Sequence, residues 1–74
     1  MLNTPYDLAI QLRDRRLELG MTQAQLATKA GVSRKWVGAA EHGTQRLALG
    51  LVFDLIAALG LVFELAPLPK IEGR

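Results

Sequence analysis

Four glycines, Gly20, Gly31, Gly43 and Gly60, cut the chain into segments that can each hold one helix of about two to four turns. The apolar residues between them recur at helical spacing. Leu8, Leu12 and Leu19 precede Gly20, with Arg15 and Arg16 between them; Leu26, Ala27 and Ala30 precede Gly31; Leu51, Val52, Leu55, Ile56 and Leu59 precede Gly60. Start signals stand where these segments need them. Thr4-Pro5 with Asp7 in the first turn opens one helix, and Thr22-Gln23-Ala24-Gln25 has the form of a capping box. Ser33 is a good cap for a helix over 34–42. A fourth helix over about 49–59 has no good N-cap. The spacing therefore predicts an all-α domain in which Gly31 and Val32-Ser33 make a tight turn between two short helices.

Residues 61–65, Leu-Val-Phe-Glu-Leu, read differently. They are β-prone and bounded by Gly60 and Pro67. A lone strand in a helical chain leaves an unpaired edge. Two readings stand: Leu61, Val62, Phe63 and Leu65 pair with the same strand of a second subunit, or the segment is an extended tail packed on its own helices.

Size sharpens the need for a partner. Seventy-four residues without cysteine make one domain, expected over 1–66 with a tail over 67–74, and neither a disulfide nor a thiolate metal site can staple it. A chain this short buries only about 60% of its unfolded surface. Half its residues are apolar, which favours self-association as the source of extra stability. No apolar run reaches the ~18 residues of a membrane span. The longest, 47–65, is broken by Gly50, Asp54, Gly60 and Glu64. With no secretory signal visible at the N-terminus, the cytoplasm is the expected location. Ile71-Glu72-Gly73-Arg74 looks like a factor Xa recognition sequence, an appended remnant left out of fold reasoning.

The net charge of +2 is unevenly spread. Residues 13–46 hold seven bases, Arg13, Arg15, Arg16, Lys29, Arg34, Lys35 and Arg46, against three acids, Asp14, Glu18 and Glu41. Both flanks are slightly acidic. Positive charge gathered mid-chain is what one face that meets phosphates would give, and charge alone fits a solvated mixed-charge surface equally well. An enzyme is excluded on inventory: no cysteine, one histidine, no paired carboxylate motif and no phosphate-cradling glycine loop. No cofactor or metal site is expected; His42 has no second histidine or cysteine beside it.

Gly20-Met21-Thr22-Gln23-Ala24-Gln25-Leu26-Ala27, Ala30-Gly31-Val32-Ser33, Val37 and Glu41-His42-Gly43 together spell a helix-turn-helix, which presents its second helix to a major groove. Ala27 is small where the two helices cross, and Gly31 supplies the positive φ of the turn. Over about residues 8–60 the chain resembles the phage-repressor-like (XRE/Cro/C1) family. Within that family, residues 32–37 and the tail from Leu49 to Leu65 make it similar to the HipB-like antitoxins.

The resemblance implies a compact repressor-like domain of four to five helices that acts as a homodimer on a palindromic double-stranded DNA operator. It also implies autoregulation of an operon and a HipA-like kinase as partner. By position, Gln23 is expected to bond a phosphate at the start of the second helix. Ser33, Arg34 and Lys35 open the recognition helix, where arginine and lysine reach guanine most readily. Thr44, Gln45 and Arg46 follow it and are expected on backbone phosphates. Arg16 and Glu41 occupy positions of an internal ion pair. Gly38-Ala39-Ala40 departs from the family pattern, and close approach of the helix to DNA at Gly38 is one explanation. Another is that Trp36 fills volume that Ala40 leaves. Trp36 itself has three readings: packing against the second helix, stacking on the sugar-phosphate backbone, or facing a partner.

Overall fold

The computed structural model describes residues 4–44 and 46–68. They form four helices: α1 (Pro5–Glu18), α2 (Gln23–Ala30), α3 (Arg34–Glu41) and α4 (Leu49–Ala58). Gln45 and residues 69–74, including the protease-like sequence, lie outside the described residues.

Each of the first three helices opens on a side-chain cap. Thr4 Oγ1 accepts from the Asp7 amide at 3.1 Å, with Pro5 next in line where its missing N–H costs nothing. At α2 the capping box closes both ways: the Gln25 amide donates to Thr22 Oγ1 at 3.0 Å, and the Thr22 amide donates to Gln25 Oε1 at 2.8 Å. Ser33 Oγ accepts from the Trp36 amide at 3.0 Å. Ala48, which precedes α4, offers no side-chain cap.

The turn between α2 and α3 depends on Gly31. Its φ of 75° lies in the left-handed region that side chains with a Cβ avoid. There the Gly31 and Val32 amides both donate to the Ala27 carbonyl, and the chain turns into the Ser33 cap within two residues.

Leu12, Leu26, Val37, Leu55 and Leu59, drawn from all four helices or their caps, are the largest fully buried side chains. Around them α2 packs on α3 and α4, and α1 packs on α3. Ala27 and Ala40 are also buried, so the α2–α3 crossing is close. Arg15 adds a polar tie: its Nε donates to the Leu59 carbonyl at 3.0 Å, at the end of α4.

The tail differs from expectation. No strand forms among the described residues; positions 61–68 carry no regular structure. The reason begins at Leu61. Its amide donates to the Ile56 carbonyl at 3.0 Å and the Gly60 amide donates to Ala57, a Schellman closure of α4. Leu61 is thereby folded back onto the core as the apolar residue that this motif favours. Phe63 lies edge-on to Phe53 of α4, with ring centroids 5.7 Å apart at 76°. Val62 and Leu65 remain 83% and 88% exposed. One chain offers these residues no second edge with which to pair. The recognition helix also ends one residue early: His42 is the C-cap of α3.

Candidate nucleic-acid interface

Two of the mid-chain cations, Arg34 and Lys35, stand at the start of α3. Ser33, Arg34 and Lys35 are exposed, and neither cation forms an ion pair among the described residues. Thr44 and Arg46, which follow the helix, are exposed as well. On the inner side, Val37 and Ala40 are buried, while Trp36 is partly buried and packs against the hydrophobic core. Trp36, Val37 and Ala40 thus anchor a helix whose leading cations face solvent.

Gly38 is tolerated rather than required by the fold. A Cβ placed there would meet only Gln23 Oε1, at an ordinary 3.8 Å. Glycine in a helix interior costs ~1 kcal/mol relative to alanine, and among the described residues no close approach at Gly38 requires it.

At the far end of α3 lies a bidentate pair. Arg16 Nε donates to Glu41 Oε2 at 2.7 Å and Arg16 Nη2 to Glu41 Oε1 at 2.9 Å. The third arm, Nη1, donates to the Met21 carbonyl at 2.8 Å. The two side chains are only 10% and 3% exposed, so the pair works in a medium that screens it weakly. The hydrogen bond that Arg16 donates to Glu41 raises the Arg16 pKa above its ordinary value, against the opposing effect of burial, with Coulomb attraction to Glu41 adding to the rise. Glu41, the acid nearest the recognition surface along α3, is in this way neutralised from α1.

Gln23 sits half-buried at the first position of α2 and donates to Glu41 Oε1 at 3.2 Å. Residue types and spacing gave no signal for this bond, because 18 residues separate its partners. The structure therefore gathers Arg16, Gln23, Gly38 and Glu41 into one cluster, with Ser33, Arg34 and Lys35 at the other end of α3. Leu61, Val62, Phe63 and Leu65 lie apart from it, beyond α4. No group of three or more metal-ligating side chains occurs among the described residues, and none of their helices is long and apolar enough to cross a membrane.

Comparison with known proteins agrees with this geometry. A family model described as a helix-turn-helix domain matches residues 7–67. An uncharacterized HTH-type transcriptional regulator of Methanothermobacter thermautotrophicus is 41% identical over 49 residues, 66% of this chain and 71% of that protein. Among solved structures, HipB in a HipB–O1–O2 complex is 25% identical with a TM-score of 0.85, covering 90% of this chain and 97% of that one. A HipA–HipB–O2–O3 complex gives the same identity and TM-score over 90% and 94%. The restriction-modification controller protein C.AhdI from Aeromonas hydrophila is 29% identical with a TM-score of 0.72, over 78% and 84%. With the capped α2–Gly31–α3 unit and these likenesses together, the chain belongs to the helix-turn-helix domain family, as an XRE-type member with a HipB-like fold.

Proposed function

We propose that this chain is a DNA-binding transcriptional regulator that represses by occupying a palindromic operator as a homodimer. The observation that carries the reading is the pair of exposed, ion-pair-free cations, Arg34 and Lys35, at the capped start of a helix anchored by Val37 and Ala40. Such a helix end enters a major groove with its first residues on base edges. Gln23, Thr44 and Arg46 flank it as backbone contacts, and Gln45 belongs to the same set by position. Two copies place their recognition helices about 34 Å apart, one turn of DNA.

Self-association is supported by the opposite end of the molecule. Leu49 and Phe53 of α4 and Val62, Leu65 and Leu68 of the tail are each exposed. Exposed apolar side chains that gather in a patch mark an interaction surface. The HipB likeness, which includes a complex with HipA, supports a finer reading: an antitoxin that binds a HipA-like kinase and controls its own operon.

The test is selection of duplexes from a random pool, followed by gel shifts with Arg34→Ala and Lys35→Ala. Each substitution is expected to cost ~1–3 kcal/mol of operator affinity and to relax the selected sequence, with the melting temperature unchanged. Unaltered affinity in both would refute base reading by these residues. Equal and steeply salt-dependent binding to every duplex would leave phosphate contact without readout, the outcome that Gly38-Ala39-Ala40 favours. Co-purification with a HipA-like kinase from the source cell tests the antitoxin role.

A further inference from the structure

The bond from Gln23 to Glu41 closes neither helix, yet it joins the buried ion pair to the recognition surface. Glu41 Oε1 accepts from Arg16 Nη2 and from Gln23 Nε2, while Oε2 accepts from Arg16 Nε. At the far side of the same amide, Gln23 Oε1 stands 3.8 Å from the place a Cβ on Gly38 would take. Gly38 and Glu41 are three residues apart and share a face of α3. The Gln23 side chain therefore lies across the recognition helix, its nitrogen at Glu41 and its oxygen over Gly38. Only the nitrogen can face an ionised carboxylate, since the reversed amide would set acceptor against acceptor. Arg16 is always charged and grips both carboxylate oxygens, so the orientation of the amide is dictated from α1. The second N–H of that amide has no hydrogen-bond partner among the described residues.

We infer that Glu41 is a positioning residue for DNA binding: through Gln23 it holds an N–H donor at the start of α2 ready for a phosphate oxygen of the duplex. The inference rests on the DNA-binding reading above. A long side chain that orders only on binding loses rotamer freedom at that moment. Gln23 loses it during folding instead, and the affinity of the folded protein gains accordingly.

The experiment is a double-mutant cycle on the full chain, read by fluorescence anisotropy with a mixed-sequence duplex of about 20 base pairs, two turns of DNA, at low salt. Gln23→Met removes the amide at similar length; it is expected to weaken binding about tenfold, the scale of a hydrogen bond to a charged group, measured at a temperature where circular dichroism shows the variant folded. Arg16→Met with Glu41→Leu replaces the ion pair by apolar groups, a change that folds commonly tolerate. That folded variant should lose the same factor, and adding Gln23→Met to it should cost under about twofold more.

A folded Met/Leu variant that binds like wild type overturns the inference. So does a full further loss on adding Gln23→Met, since the two sites then act independently. If the Met/Leu chain does not fold, Arg16→Leu with Glu41→Met, which also leaves Gln23 no acceptor and is checked by circular dichroism at reduced temperature, carries the same cycle with the same criteria. Wild type that binds no duplex sinks the DNA reading together with this one; wild type that binds, with multiplicative losses, sinks the positioning role alone.

Discussion

The α2–turn–α3 unit and the α4–tail region both have to end helices and bury apolar side chains, and they do so with unequal completeness. In the first, Thr22, Gln25, Gly31 and Ser33 satisfy three successive helix ends within a dozen positions, and Leu26, Ala27, Val37 and Ala40 are buried. In the second, α4 starts on an alanine without a cap, and Leu49, Val62, Leu65 and Leu68 face solvent. A region whose local preferences all agree with the global fold is well specified within its own chain. One that leaves apolar surface open is finished by something else, and here a second copy is the proposed candidate.

The contrast breaks first at Arg16. Arg16→Ala leaves Glu41 buried without its cation and should cost ~3–5 kcal/mol, read from the urea midpoint. An unmoved midpoint would mean that the bidentate pair contributes nothing and that the helix-turn-helix half is less tightly tied than its geometry says.

Next come two leucines, one from each region. Leu26→Ala in the core should lose ~2–5 kcal/mol, whereas Leu65→Ala should stay within ~0.5 kcal/mol in dilute solution. Sedimentation at high concentration should then show weaker self-association for the Leu65 variant alone. A Leu65 variant that unfolds easily while remaining monomeric would place the tail in the intramolecular core and remove the distinction.

The smallest effect concerns caps. Thr22→Ala should lose ~1 kcal/mol, and Ala48→Asp should gain up to about as much by supplying the acceptor that α4 lacks. Thermal melts of the two variants, moving in opposite directions, would show that the asymmetry between the regions lies partly in their helix ends.

The same division governs what could be read without a structure. Thr22 with Gln25, and Gly31 with Ser33, are signals carried within three residues, and they placed α2, the turn and α3 closely. The strand expected over 61–65 does not form, because the β-propensity of Leu61 and Val62 is overridden by the demand of the preceding glycine. Closing α4 at Gly60 takes the Leu61 amide for Ile56 and draws its side chain inward. Contacts between distant positions left no trace in spacing. Arg16 and Glu41 are 25 residues apart and were paired only through the family resemblance. Gln23 with Glu41, and Arg15 with the Leu59 carbonyl, were not foreseen, because they exist only once the helices are packed.

Arg15 and Arg16 are neighbours in sequence, and adjacent helical residues point about 100° apart. One is bolted to the end of α4 where the tail departs, and the other to the end of the helix that carries the cations. α1 is thus a strut between the two working ends of the molecule. If the proposed dimer joins through the tail end, α1 is the element through which the position of each recognition helix is fixed relative to the joint.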